Sequence, residues 1–375
     1  MSTTPIADKR LLVTGAAGFI GGNFCHHWLE THPQGTLIAY DALTYAGNPH
    51  NLDGLEKYSG FHFVHGDIND AALVENSMRS HAINVIVHFA AESHVDRSIH
   101  DPDAFIQTNI VGTHTLLKVA KALWLDGPKG PIPHRFHHIS TDEVYGTLAP
   151  QDPPFREDTP YAPNSPYAAS KAGSDHLVRA YRHTYGLNTT TSNCSNNYGP
   201  FHFPEKLIPL IIVNILHNKP LPIYGDGRQI RDWLYVEDHC RGIAAILEQG
   251  QEGESYNIGG CNEWTNLDIV QLICRSMDDL FASQPHWATQ YPQAAPALGR
   301  KSAELIEYVR DRPGHDRRYA IDARKITQEL GFAPAVDFPT GIQDTILWYL
   351  EHPQWWQQVM DGSYRKWVDK QYRRG

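Results

Sequence analysis

Three glycines spaced three apart, Gly15, Gly18 and Gly21, sit between an apolar run, Leu11 to Thr14, and a helix-length stretch, Asn23 to Thr31. Glycine is required where a backbone turns tightly and must approach a pyrophosphate, and a helix starting there aims unpaired N–H groups at the anion. The spacing is G-x-x-G-x-x-G, and its weight comes from the strand-turn-helix context around it. Further short runs, Leu37 to Asp41, His62 to Asp67, Val85 to Ala91, Arg135 to Thr141 and Asn188 to Asn193, read as strands. Between them lie helix-length stretches, Ala71 to Ser80, Ala104 to Trp124 and Tyr167 to Tyr185. This alternation predicts an α/β fold with a doubly wound, parallel Rossmann-type sheet.

Beyond Tyr198 the texture changes. Gly199 to Pro204 is followed by a helix-length Leu207 to His217 and a strand-like Leu221 to Tyr224. We expect a dinucleotide-binding domain over residues 1–198 and a smaller ligand-binding domain over 199–349, partly interleaved with it. Residues 350–375 form an aromatic-rich end. The prolines of Leu148 to Pro166 predict a surface loop. Trp348, Trp355, Trp356 and Trp367 are expected to bury themselves against the body without chemistry.

A chain of 375 residues with 41% hydrophobic content can bury the core such a fold needs. Its 32 Lys and Arg against 42 Asp and Glu leave a formal charge of −10, which disfavours nucleic acid as a partner but allows small anions. MSTTPIADKR does not read as a secretory signal, and no apolar run approaches the ~20 residues that span a bilayer. The expectation is a cytoplasmic protein with no membrane partner. The five cysteines are odd in number and include no C-x-x-C. The 22 histidines include His26-His27 and His137-His138 but no H-E-x-x-H, so no metal is expected.

Asp41 stands 20 residues after Gly21 at a strand end. There a carboxylate can accept from the adenosine ribose hydroxyls and repel a 2′-phosphate, which selects NAD over NADP. Asp67 suits an adenine contact or a solvated strand end. Ser165 and Pro166 suit the start of a helix carrying Tyr167 and Lys171 on one face. An ammonium beside the phenol, with the cofactor's cationic ring nearby, lowers the phenol pKa and makes it a base. Thr141, Asp142 and Glu143 end the fifth strand, on the sheet edge where ligands bind. Two adjacent carboxyls in a closed site can be driven apart in pKa, giving an acid and a base; solvated loop carboxylates are the alternative.

These motifs resemble the extended short-chain dehydrogenase/reductase family, and within it the nucleotide-sugar 4,6-dehydratases. The resemblance runs from about Arg10 to Tyr349. It is carried by AAESHVDRSI, HHISTDEVYG, SPYAASKAGSDHLVRA, TSNCSNNYGP, HFPEKLIPL, LPIYGDGRQIRDWLYVEDH and DRPGHDRRYAID. The Asp142-Glu143 pair discriminates, since related epimerases have small or hydroxyl residues there. The departures lie in Trp124 to Pro133 and Gln284 to Lys301, both loop-like.

The resemblance implies NAD contacts, beside the three glycines, from Phe19, Ile20, Asp41, Ala42, Leu43, Thr44, Asp67, Ile68, Phe89, Ala90, Ala91, Glu92, Ser93, Thr108, Tyr167, Lys171 and Asn197. It implies that a nucleotide-sugar, dTDP-glucose, is held by Ser93, Thr141, Asn196, Lys206, Leu207, Pro222, Ile223, Tyr224, Arg231, Asn266, Asp311, Arg312, Pro313, Gly314 and His315. Tyr167, with Lys171 and Thr141, would deprotonate the C4 hydroxyl as hydride passes to NAD. Glu143 would remove the C5 proton while protonated Asp142 serves the leaving C6 hydroxyl, and the hydride would return to C6. Arg231 and one arginine of the 311–318 segment are expected to grip the pyrophosphate, with surface pairing to Asp311, Asp316 and Asp322 as the alternative for these arginines. A homodimer packed through the Ala104 to Trp124 and Tyr167 to Tyr185 helices is also implied. Competing readings are a nucleotide-sugar 4-epimerase, a UDP-glucose 4,6-dehydratase and a noncatalytic NAD sensor.

Overall fold

The computed structural model describes residues 8–128, 130–311 and 315–360. The chain first lays down β1 (Arg10–Thr14), α1 (Phe19–Thr31), β2 (Thr36–Asp41), β3 (Phe61–His65), α2 (Ala71–Ser80), β4 (Val85–His88), α3 (Thr113–Trp124), β5 (Arg135–Thr141), α4 (Pro166–Tyr185) and β6 (Thr189–Cys194). It then crosses into a second lobe through β7 (Asn196–Tyr198), α5 (Leu207–Leu216), β8 (Leu221–Tyr224) and β9 (Ile230–Tyr235). With α6 (Val236–Gln249) and β10 (Ser255–Ile258) it returns to the first lobe. β11 (Glu263–Thr265), α7 (Asn266–Ser283), β12 (Ile306–Val309) and α8 (Phe338–Glu351) complete the second.

The main sheet has seven parallel strands in the order β10-β6-β5-β4-β1-β2-β3. The order reverses between β1 and β4, which opens a crevice at their carboxyl ends. Central strands of a parallel sheet are covered on both faces, so β4, Val-Ile-Val-His, is buried throughout and shows no alternation. One face packs on α1 and α6 through Phe24, Cys25, Trp28, Ile243 and Leu247. The other packs on α2, α3 and α4 through Val74, Leu116, Leu117 and Val178. The second lobe has its own core, in which Ile211, Ile273, Phe338 and Ile346 meet Trp355 and Trp356. Trp348 packs at the edge of that core, and Trp367 lies outside the described residues.

Local signals act as the sequence suggests at α4. The Ser165 hydroxyl accepts from the Ala168 N–H at 3.1 Å, Pro166 fills the first turn, and Gly186 closes the helix at φ +75°. Two details differ from expectation. The third strand stops at His65, so Asp67 lies in the loop beyond it. The stretch Ala104 to Trp124 is not one α-helix: Asp103–Phe105 runs into a π-helix, Ile106–Gly112, before α3 begins. Widened turns of this kind re-aim side chains at functional sites. Here the Asn109 side chain accepts from the Glu92 N–H at 2.9 Å and donates to the Glu92 carbonyl and to Ser170 Oγ, at 3.0 and 2.8 Å. The proline-rich loop is anchored, with Leu148 and Phe155 buried and their N–H groups bonded to the carbonyls of Arg318 and Ala320.

Candidate active site

One cleft of about 460 Å³ runs from the glycine turn, past the ends of β4 and β5, to the second lobe. The glycines are required sterically. Gly15 has φ +69°, and a Cβ there would lie 2.6 Å from the Ala90 nitrogen; a Cβ on Gly21 would lie 2.2 Å from the Gly15 carbonyl oxygen. Gly18 is the N-cap of α1, with no side chain capping it and no acid in the first turn. The helix therefore starts with N–H groups that an anion can satisfy. Asp41 braces this turn, accepting from the Ala17 N–H at 2.9 Å and the Leu43 N–H at 2.7 Å. Burial pushes its carboxyl up, and these two bonds work against that. Asp67 is exposed on the cleft rim and closes an Asx turn, accepting from the backbone and side-chain N–H groups of Asn69 at 2.8 and 2.9 Å.

At the end of β5 the chain turns sharply into Asp142 and Glu143, putting both carboxyls at the cleft. Asp142 is 1% exposed, and its Oδ2 has no hydrogen-bond partner among the described residues. Burial first, then the charges of Glu143 and Asp232, hold its carboxyl well above the ordinary range. Glu143 is half-buried beside it, its N–H bonded to Thr141 Oγ1 at 3.3 Å. A carboxyl whose pKa the fold raises contributes full stability below the unfolded carboxylate pKa, a contribution lost as pH rises through the folded value. Asp142→Asn is thus expected to melt higher than wild type near neutral pH, with the difference closing toward about pH 4. Melting temperatures across that range check it; equal values near neutrality would refute a raised Asp142 carboxyl.

Tyr167 and Lys171 face the same cleft from α4, one turn apart. The expected lowering of the phenol pKa is not produced by the protein's own groups. Burial, then Glu143 and Cys194, hold the Tyr167 phenol well above its ordinary value, and hydrogen bonding with Thr141 pulls the other way. Lys171 instead donates from its Nζ to the Ile139 carbonyl at 2.7 Å. Burial pushes the Lys171 amine down.

From the second lobe, Lys206 and Leu207 sit at the start of α5, whose N-terminus has no side-chain cap. Lys206 donates to the Ser93 carbonyl at 3.2 Å. Arg231 is buried, donates to the carbonyls of Ile230 and Asp316, and lies 4.3 Å over the Tyr319 ring. Arg317 and Arg318 do not line the cleft but pair with Asp226 and Glu263, at 3.0 and 2.6 Å, acids other than those the sequence suggested. Of the residues singled out from the sequence, Leu43 and Asp311 lie off the cleft wall. Asp311 instead accepts from His315, which lines the cleft, and from Gln229. Arg312, Pro313 and Gly314 fall outside the described residues. The others all line the one cleft.

Sequence reasoning missed Tyr45, His202, Glu205 and Tyr319, which also line it. His202 stacks on Phe19 at 4.4 Å, and Glu205 pairs with Arg97 at 3.0 Å. His202 and Glu205 are the first and fourth residues of the HFPEKLIPL run, so the signal was at hand. Among the described residues, no His, Cys, Asp or Glu cluster is arranged to hold a metal ion. No described helix is long and apolar enough to cross a membrane.

A glycine turn at the switch point of a Rossmann-type sheet, with Tyr167 and Lys171 on a helix across the crevice, defines a dinucleotide-dependent protein of the short-chain dehydrogenase/reductase kind. Residues 12–345 match the family described as GDP-mannose 4,6 dehydratase, and the chain belongs to it. It is 53% identical to a dTDP-glucose 4,6-dehydratase of Escherichia coli over 366 residues, 95% of this chain and 97% of the relative. It is also 53% identical to that of a Xanthomonas campestris strain over 94% of this chain and 97% of the relative. The solved dTDP-glucose 4,6-dehydratase of Streptomyces venezuelae, with NAD bound, superposes with a TM-score of 0.82 at 44% identity, covering 93% of this chain and 99% of that one. A Bacillus cereus UDP-glucuronic acid 4-epimerase in complex with UDP-glucuronic acid and NAD follows at 0.77 and 27%, covering 92% and 99%.

Proposed function

We propose that this chain converts dTDP-glucose into dTDP-4-keto-6-deoxyglucose with NAD. The observation that carries this reading is a fully buried Asp142 next to Glu143, in the same cleft as Tyr167 and Lys171. An epimerase or a sensor has no use for such an acid and base. The cradle fits the cofactor: Gly15 and Gly21 leave no room for a side chain, the N-terminus of α1 is uncapped, and Asp41 stands where it would repel a 2′-phosphate. NAD, when bound, supplies the acceptor for a hydride from C4 and its source for C6.

The chain's own groups move the protons. Tyr167, oriented by Thr141 and with Lys171 one turn along the helix, takes the C4 hydroxyl proton. Glu143 takes the C5 proton, acidified by the 4-keto group. Asp142 delivers its proton to the departing C6 hydroxyl, so water leaves across C5 and C6, and C5 is reprotonated as C6 receives its hydride. Burial favours the protonated form of Asp142, which suits it to donate, while half-buried Glu143 serves as base. Lys206, Arg231 and the start of α5 hold the substrate's pyrophosphate. We assign residues 1–198 mainly to the cofactor, 199–349 mainly to the nucleotide-sugar, and 350–375 to no ligand. The protein works in the cytoplasm, and as a homodimer, the latter reading supported by exposed Ile106 and Val111 beside α3 and Tyr185 at the end of α4.

Incubation with dTDP-glucose in deuterated water tests the reaction. The expected product has lost water and carries one solvent deuteron at C5. An isomer of unchanged composition would point to epimerisation, and no reaction would overturn the assignment.

A further inference from the structure

The catalytic groups sit on two elements, β5 with the turn after it and α4, and something must fix one against the other. His138 and Ser140, two apart on β5, present their side chains to the same side of the sheet. There they meet Asp175, which lies one turn beyond Lys171 on α4. The carboxylate accepts from His138 Nε2–H at 3.0 Å on one oxygen, and from Ser140 and Tyr161 hydroxyls at 2.7 and 2.9 Å on the other. Between His138 and Ser140, the Ile139 carbonyl takes the Lys171 hydrogen bond. Asp175 is buried and does not line the cleft, so it touches neither ligand.

We propose that Asp175 is a positioning residue: it bolts the strand carrying Thr141, Asp142 and Glu143 to the helix carrying Tyr167 and Lys171, and it is the buried counter-charge of the Lys171 ammonium. The groups around this pair are consistent with the second role. His138 is pushed down to about 4 by burial and by Lys171, and is a neutral donor at working pH. From β4, His88 is held well below its ordinary range by burial and is neutral too. Cys194 on β6 and Tyr145 and Tyr161 on the flanking loop are all raised by burial and stay uncharged. Burial works to raise Asp175 itself, but His138, Lys171 and Ser140 together hold it below its ordinary value. Asp175 in turn works against the desolvation that lowers Lys171.

The inference rests on the reaction proposed above, and its test is the pH profile of kcat and KM for dTDP-glucose with the full-length, NAD-loaded protein. Removing the carboxylate charge lowers the Lys171 pKa, so in Asp175→Asn kcat is expected to fall about 30-fold, with KM within roughly threefold and the alkaline limb about one pH unit lower. The double variant Ser140→Ala with Tyr161→Phe keeps the charge but removes two donors. Its Asp175 pKa rises, and the acid limb of kcat should move up with a loss of about fivefold. If Asp175→Asn does not fold, as judged by its thermal melt, the double variant decides alone. Wild-type-like kcat, or a loss without displacement of the limb, overturns the proposal. A wild type that fails to dehydrate dTDP-glucose overturns the reaction assignment and this inference with it, whereas a working wild type beside an unaffected Asp175→Asn overturns this inference only.

Discussion

Tyr167→Phe is expected to reduce kcat for dehydration by about 10³-fold, the scale of a positioned general base. The ring keeps its edge contact with Phe105, at 6.3 Å between centroids, so the fold and the cleft should survive the loss of one oxygen. What disappears is the acceptor for the C4 hydroxyl proton, without which neither later proton transfer can begin. Product formation and deuterium entry at C5 should therefore fall together. A variant that retained a tenth of wild-type kcat would show that the proton leaves by another route.

Glu143→Gln should separate the steps that Tyr167→Phe removes together. Elimination is expected to fall by about 10³-fold, because the amide cannot take the C5 proton. Oxidation at C4 should persist, seen as the near-ultraviolet band of reduced nicotinamide after substrate is added. Glu143 is, after burial, the largest influence raising the Tyr167 phenol. Its neutralisation should also ease that proton transfer and shift the acid limb of the oxidation step to lower pH. Normal deuterium incorporation at C5 in this variant would remove Glu143 from the role of base.

Much of this site was legible without coordinates, for physical reasons. The Gly15 turn, the Ser165 cap and the Tyr167/Lys171 spacing are local features, readable within one strand or one helix turn. Non-local relations were not. Asp41 was read as a ribose acceptor, yet it also ties the glycine loop to β2 across 24 residues of sequence. The alternative reading of the basic segment, surface pairing with nearby acids, found neither partner: Arg317 and a buried Arg318 pair with Asp226 and Glu263, 91 and 55 residues away. β10 escaped notice because it is only four residues long and lies within a segment assigned to the second lobe. Helical spacing brings Lys171 to the right face, but it does not reveal that burial and Glu143 raise the Tyr167 phenol within the protein alone.

The return of β10 to the edge of the main sheet bears on how far this architecture can be taken apart. β10 runs parallel to β6, from Ser255 opposite Thr191 to Ile258 opposite Cys194. A chain ended at residue 198 would leave β6 as a bare edge with its row of N–H and C=O groups open to pairing, the usual seed of aggregation. The second lobe is consequently not an exchangeable cassette. Engineering of sugar preference has to proceed by substitution within the cleft, because a graft of the whole lobe would carry away one strand of the scaffold that holds the cofactor.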